Sequence, residues 1–259
     1  MTNKIKILCI GNSFSIDTMK RAPEVAPALG IELVVGNLFI PGCPISRHYN
    51  NIANDLPAYT YYHNDCGEWT ETPEYKISDA IRSDDWDVIS IQHGSSGGQS
   101  YIRPECYDDF PALVQTVKSL APKHTKIVFN ITWPAEVYHH HRDLRTHTGS
   151  QLSLMNNIIR ITKELVATNP DIYCTIPTGL AIQNARTTVL RDRMSRDGYH
   201  LSYEHGRYLA SMTFLKALTG VSLENISWRP EVVTAEEQAL LIKAANMALA
   251  DPDHVRTII

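Results

Sequence analysis

The chain has 259 residues, of which 43% are hydrophobic and 20% are charged, and its formal net charge is −4. This length is enough for one sizeable α/β domain, and the composition is that of an ordinary globular protein. The slight negative charge gives no electrostatic basis for binding nucleic acid or an anionic membrane, and no apolar run approaches the roughly 18 residues of a membrane helix.

The first 44 residues predict a strand, a turn, a helix and a second strand. The apolar run at 6–10 predicts a buried strand, and a helical pattern over residues 17–29 ends at Gly30. Residues 31–39 are rich in β-branched side chains and predict the second strand, which ends at the Pro-Gly-Cys-Pro sequence of 41–44. Such an order indicates a right-handed βαβ unit with parallel strands.

Residues 46–85 interrupt the alternation and are interpreted as an insertion. Alternating polar and aromatic residues on both sides of a turn at 64–67 predict a solvated β-hairpin within 59–76. So long an excursion between core strands is typical of a functional flap. Its aromatic side chains are expected either to contact a ligand or only to cover the edge of the sheet.

From residue 87 onwards strands and helices alternate again. The sequence predicts strands at 87–92, 126–131 and 171–177, and helices at 105–120, 151–167, 179–190, 203–218 and 235–250. This alternation predicts an α/β fold: a flavodoxin-like, doubly wound parallel sheet of about five strands with an inserted β-hairpin. Without a linker or an internal repeat, residues 1–259 are predicted to form a single domain.

The cysteines and the N-terminus bear on the cellular location. Five cysteines without a CxxC pair indicate reduced thiols, and Cys9 and Cys174 lie in apolar runs that predict core positions. No signal peptide is visible, which predicts a cytoplasmic protein, although a leader removed beforehand would leave the same pattern.

The turn after the first strand, residues 11–15, reads Gly-Asn-Ser-Phe-Ser. In an open α/β sheet ligands bind at the carboxyl ends of the strands, beside helix N-termini. Ser13 in this turn is therefore either a nucleophile or a helix cap. No Walker-type or GxGxxG sequence follows the strand, which argues against nucleotide binding.

Candidate partners for Ser13 occur far along the chain. Asp197 precedes His200 by three residues, so its carboxylate can hold one imidazole nitrogen and leave the other free as a base. The N–H of Gly42, after the second strand, and the amide of Gln92, ending the third, are candidate oxyanion donors alongside the Ser13 N–H. The alternatives are a turn glycine with positive φ and a polar residue satisfied by the fold.

Taken in order from Gly11 to His200, these segments resemble the blocks of the SGNH (GDSL-like) hydrolases, as a divergent bacterial branch. The resemblance implies that Ser13 is the nucleophile and that Asp197 and His200 complete a catalytic triad. It also implies that Gly42 supplies an N–H to the oxyanion hole.

Two positions depart from that family pattern. Asn12 stands where the family usually has aspartate, and residues 94–97 read Gly-Ser-Ser-Gly, without the usual asparagine of the third block. The missing oxyanion donor must be replaced, with Gln92 as the first candidate and His93 as the second. Asn12, His93 and Trp133 are further expected to line the substrate pocket.

The resemblance implies an SGNH-type carboxylic ester hydrolase without metal or organic cofactor. The expected substrate is a small-molecule or oligosaccharide ester that carries a small acyl group, such as an acetylated carbohydrate. Nucleic acid and membrane partners are not expected, and the oligomeric state is left open. The alternatives are a non-catalytic flavodoxin-like binding module and an acyltransferase with the same triad.

The run His139, His140 and His141 with Asp143 predicts a solvated loop more than a metal site.

Overall fold

The computed structural model describes residues 3–93, 104–136 and 150–259, and a seven-stranded sheet forms its centre. In chain order the strands are β1 (Asn3–Gly11), β2 (Ile31–Phe39), β3 (Tyr59–Asp65), β4 (Thr70–Tyr75), β5 (Val88–Gln92), β6 (Lys126–Asn130) and β7 (Ile172–Ile176). Across the sheet their order is β4-β3-β2-β1-β5-β6-β7.

Helices connect these strands and cover both sides of the sheet. They are α1 (Ser13–Met19), α2 (Ala22–Ala28), α3 (Ile45–Ala53), α4 (Ile77–Arg82), α5 (Pro104–Leu120), α6 (Gln151–Ala167), α7 (Thr178–Arg186), α8 (His205–Thr219) and α9 (Ala235–Ala250). One group of contacting helices contains α1, α2, α7, α8 and α9, and α3, α4 and α5 form another. The predicted α/β class is thus confirmed. None of the described helices is long and apolar enough to cross a membrane.

Five neighbouring strands, β2, β1, β5, β6 and β7, run parallel. Their order is the 2-1-3-4-5 order of flavodoxin-like sheets, in which the chain leaves the first strand to one side and later returns on the other. The side chains of residues 7–10 in β1 are at most 2% exposed, as expected for a central strand covered on both faces. The carboxyl ends of β1 and β5 therefore meet at the point where ligands bind in such sheets.

The predicted count of about five strands is wrong, and the predicted hairpin is not an insertion apart from the sheet. β3 pairs antiparallel with β2 as well as with β4, so these strands belong to the central sheet and extend it to seven. Tyr59 and Tyr61 are buried on one face, whereas Tyr62 on the other face is only partly covered. The aromatic alternation indicates a half-buried strand, but it carries no information about which backbone that strand pairs with.

The predicted single helix at 17–29 is two helices. α1 begins four residues earlier than predicted, because the Asn12 side chain accepts a hydrogen bond from the Phe14 N–H and caps it. Pro23 lies in the first turn of α2 and has no N–H to continue a helix from α1. Of the two cysteines predicted in the core, Cys9 is buried and Cys174 is only partly covered.

Candidate active site

Ser13 is the first residue of α1, at the carboxyl end of β1. The turn before it is tight, because Gly11 packs directly under the helix. A β-carbon at Gly11 would lie 2.6 Å from Ser15 Oγ, so only glycine fits there without a shift. This close approach sets the Ser13 side chain at the edge of the sheet where the strands β1 and β5 meet.

Ser13, His200 and Asp197 form a chain of hydrogen bonds. His200 Nε2 lies 2.9 Å from Ser13 Oγ, and His200 Nδ1 lies 2.7 Å from Asp197 Oδ2. Because a carboxylate only accepts, Nδ1 carries the proton and Nε2 presents its lone pair to the serine hydroxyl. An imidazole in this orientation can take a proton from Ser13.

The loop around Asp197 holds the carboxylate in place. Asp197 Oδ1 accepts hydrogen bonds from the backbone N–H of Tyr199 at 3.1 Å and of His200 at 2.7 Å. Partial burial raises the pKa of the Asp197 carboxyl, but the hydrogen bonds from His200 and the loop backbone outweigh it, so the pKa lies below its ordinary value. Asp197 is therefore ionised at neutral pH and can stabilise a protonated His200.

Asp17 joins α1 to the loop that carries His200. Its side chain is 1% exposed and bonds the guanidinium groups of Arg196 (3.0 Å) and Arg207 (2.7 Å). Its second oxygen accepts a hydrogen bond from the Leu201 N–H at 2.8 Å, and Arg196 also donates to the Leu201 carbonyl. The helix that begins at Ser13 is thus hydrogen-bonded to Leu201, the residue next to His200.

Aromatic side chains pack beneath the triad. Phe14 stacks on Trp133 with ring centroids 4.3 Å apart and contacts Tyr199 edge-on at 5.0 Å. The Trp133 indole is fully buried and donates to the Tyr199 carbonyl at 3.0 Å. Trp133 was expected to line the substrate pocket. In the structure its buried ring instead packs under the loop that carries Tyr199.

Asn12 links the nucleophile turn to its two neighbours. Its Nδ2 donates to the Cys43 carbonyl at 3.2 Å, and its Oδ1 accepts from Phe14 N and from Gln92 Nε2, each at 3.0 Å. Asn12 was expected to line the substrate pocket, but it is only 1% exposed and both ends of its amide are bonded. Its side chain therefore positions other groups. It thereby ties the turn after β1 to Gly42 and to the end of β5.

The backbone N–H groups of Ser13 and Gly42 are the candidate oxyanion donors. In the part of the chain that the structure describes, no acceptor is bonded to the N–H of Ser13 or of Gly42. Gly42 has φ +58°, a left-handed conformation that favours glycine, and this orients the turn after β2.

The third candidate oxyanion donor is the side-chain amide of Gln92. Gln92 is 2% exposed, and one of its two amide hydrogens is donated to Asn12. This favours a positioning role for Gln92 over direct contact with substrate. His93 is fully buried, and residues 94–97, which take the place of the usual third block, lie outside the described residues.

A buried polar group supports the turn that contains Gly42. His48 Nδ1 lies 2.8 Å from the hydroxyl of Tyr59, which also accepts from Asn51 Nδ2 at 3.3 Å. Burial, with the nearby His93 adding to it, lowers the pKa of His48 to about 3. Burial also raises the pKa of the Cys43 thiol to about 12, so this neighbour is not a thiolate.

We expect the free energy of unfolding to fall as the pH drops below about 6.5, in part because of His48. Its pKa is 6.5 in the unfolded chain and about 3 in the folded protein, so between these values only the unfolded chain binds the proton. The free energy of unfolding therefore falls below pH 6.5, by up to about 1.4 kcal/mol per pH unit, until the pH approaches the pKa of the folded state. Urea unfolding of wild type and His48→Gln at pH 7 and pH 5 measures this: equal pH dependence in both proteins would contradict it.

The histidine run was a candidate for a metal site. Residues 139–143, with the histidine run, are not among the described residues. Within those that are, no group of three or more His, Cys, Asp or Glu side chains is arranged to hold a metal ion. The roles of Asp17 and Arg207 in supporting the site were not predicted from the sequence. An aspartate one helical turn after Ser13 was the available signal, since helical spacing places it on the same side of α1.

Comparison with known proteins gives a family but no activity. A family model described as "Domain of unknown function (DUF4886)" matches residues 6–248. A crystal structure of a DUF4886 family protein from Bacteroides uniformis superposes with a TM-score of 0.92 and 35% sequence identity, covering 99% of this chain and 98% of that one. Curated proteins give no match. The chain therefore belongs to the DUF4886 family.

Proposed function

We propose that this protein is a serine esterase of the SGNH type that hydrolyses a small acyl ester. The observation that carries the proposal is the position of His200, with one nitrogen 2.9 Å from Ser13 Oγ and the other 2.7 Å from Asp197. A serine that only caps a helix has no need of a histidine held in one tautomer by a carboxylate. The same three groups in this order are the parts of a Ser-His-Asp triad.

The reaction follows from the placement of these groups. Ser13 Oγ attacks the ester carbonyl carbon while its proton moves to His200 Nε2, and Asp197 stabilises the imidazolium that forms. The tetrahedral intermediate then expels the alcohol, which takes the proton from His200. Water attacks the resulting acyl-enzyme with His200 again as the base, which releases the acid and restores Ser13.

The developing oxyanion needs donors that are not already bonded. The N–H groups of Ser13 and Gly42 meet this condition, and each such donor typically contributes roughly 10²–10³ in rate. Gln92 contributes through Asn12, which holds both turns at their present separation. The preference for an acetyl group on a carbohydrate rests on the resemblance to the SGNH hydrolases.

Labelling with a fluorophosphonate probe tests this proposal. Wild type is expected to form a covalent adduct and to release acetate from p-nitrophenyl acetate, because the probe and the ester both require an activated serine. Ser13→Ala should lose both properties. As a matched control, Ser153→Ala removes an exposed serine hydroxyl on α6 and should be labelled like wild type.

Three results separate the candidate functions. A wild-type protein that is neither labelled nor able to hydrolyse the ester would contradict the esterase and favour a binding module. Labelling at Ser13 with transfer of acetyl to an added sugar alcohol, in place of free acetate, would identify an acyltransferase. Labelling that persists in Ser13→Ala would place the nucleophile elsewhere.

A further inference from the structure

A cavity of about 120 Å³ lies between α1 and the β3–β4 hairpin. Its lining residues come from α1 and the residue that follows it, from β2 and from the hairpin: Ile16, Lys20, Asn37, Tyr62 and Trp69. The volume has room for several water molecules or for one edge of a sugar ring. We call it the hairpin cavity.

The hairpin cavity lies on the same side of α1 as the nucleophile. Ser13 and Lys20 are seven residues apart, so at about 100° per residue they point almost the same way from the helix axis, about 10 Å apart along it. Ile16 lies between them and lines the cavity. A group bound there is therefore displaced from Ser13 by about 10 Å along the helix axis.

Asn37 lines this cavity and carries a polar atom without a partner. Its side chain is fully buried, and its Nδ2 has no hydrogen-bond partner among the described residues. Its Oδ1 lies 2.8 Å from Ser15 Oγ, which also donates toward the Asn12 carbonyl at 2.8 Å. A buried amide without a partner is costly, so this atom calls for a ligand or for ordered water.

The Asn37 amide can present either of its polar atoms. The Ser15 hydroxyl has one hydrogen for two acceptors. If it donates to Asn12, the Asn37 NH₂ turns to donate to Ser15, and the Asn37 carbonyl then faces the cavity. A hydroxyl group suits both cases, since it donates to a carbonyl and accepts from an NH₂.

Lys20 and Trp69 complete the polar and aromatic walls. The Lys20 ammonium lies 5.0 Å from the centroid of the Trp69 ring and is attracted by the carboxylates of Glu24 and Glu71. Burial, and then the charge of Arg207, lowers the pKa of Lys20, as expected for an ammonium partly withdrawn from water. Trp69 also borders a separate cavity of about 520 Å³ beside α2.

We propose that the hairpin cavity is a subsite for a neutral sugar unit in the alcohol part of the ester, with one hydroxyl held by Asn37 and Lys20 and the ring against Trp69. The proposal rests on the esterase function of Ser13 and names the chemistry of its substrate. An acyl chain would leave the Asn37 amide without a partner, whereas a sugar hydroxyl can bond both Asn37 and Lys20.

Substrate comparison tests the subsite. The ratio of kcat/KM for an O-acetylated xylo-oligosaccharide to kcat/KM for p-nitrophenyl acetate should fall at least tenfold in Lys20→Met and in Trp69→Ala, mainly through KM. Lys243→Met is the matched control, because its ammonium bonds the Ile259 carbonyl on another part of the surface. A ratio that stays within twofold of wild type in both cavity variants would overturn the proposal.

Binding without turnover keeps the subsite separate from the esterase. Neutral trisaccharides of xylose, mannose and N-acetylglucosamine are titrated into Ser13→Ala, which retains the cavity. At least one should bind, and its Kd should rise at least tenfold when Lys20→Met is added. If a sugar binds but the wild-type protein hydrolyses no ester, the subsite is supported and only the esterase function is rejected. Failure of all three sugars to bind would overturn the subsite even if Ser13 is labelled.

Discussion

His200→Ala is expected to lower kcat for p-nitrophenyl acetate by roughly 10⁴-fold or more with the fold intact. Without the imidazole, Ser13 Oγ has no base at 2.9 Å to take its proton, and the leaving alcohol has no acid. The His200 side chain is only 25% exposed, yet it bonds groups at the surface of the site and not in the core, so its removal should cost little stability. Steady-state kinetics and thermal unfolding of the variant measure the two effects.

A second Asp-x-x-His sequence provides the control. Asp251 and His254 have the same spacing as Asp197 and His200, and His254 Nδ1 lies 3.0 Å from Asp251 Oδ1. No serine hydroxyl is bonded to the other nitrogen of His254 among the described residues, and its side chain is 70% exposed. His254→Ala should therefore keep the wild-type kcat. A loss below tenfold in His200→Ala would show that His200 is not the base.

These two pairs show what the sequence could predict about the site. The local spacing predicts the contact between aspartate and histidine in both cases, because three residues bring the side chains within one turn. What distinguishes the two Asp–His pairs is where each lies in the order of strands and helices. Asp197 and His200 follow the last parallel strand and are brought to the carboxyl end of β1, whereas Asp251 follows the final helix.

The parts that could not be predicted depend on pairings between distant segments. The strand pattern at 59–62 predicts a strand, but its hydrogen bonds to β2 are made by the backbone, which looks alike in every sequence. Gln92 was expected at the oxyanion because strand ends converge there. Its bond to Asn12 depends on side-chain rotamers that periodicity does not report. The burial of Trp133 likewise follows from its stacking on Phe14.

Asp17→Asn is expected to lower both the free energy of unfolding and kcat. The substitution leaves Arg196 and Arg207, whose side chains are 24% and 13% exposed, without the buried carboxylate that balances their charge. Breaking a pair that is buried on both sides typically costs about 3–5 kcal/mol, so these partly exposed partners should give a loss below that range. The loop that carries His200 also loses an anchor, so the distance from His200 Nε2 to Ser13 Oγ is no longer fixed. Urea unfolding and kcat for p-nitrophenyl acetate measure the two losses together.

Two further variants separate the charge from the anchor. Adding Arg207→Met to Asp17→Asn removes one unpaired cation, so part of the lost stability should return while kcat stays low, because the loop is still not anchored by a carboxylate. Glu237 is the matched control: it is also bonded by two basic side chains, Arg193 and His205, but its partners do not touch the triad. Glu237→Gln should lower stability and leave kcat unchanged. An Asp17→Asn protein with wild-type kcat would show that the loop 195–201 holds His200 in place without the help of α1.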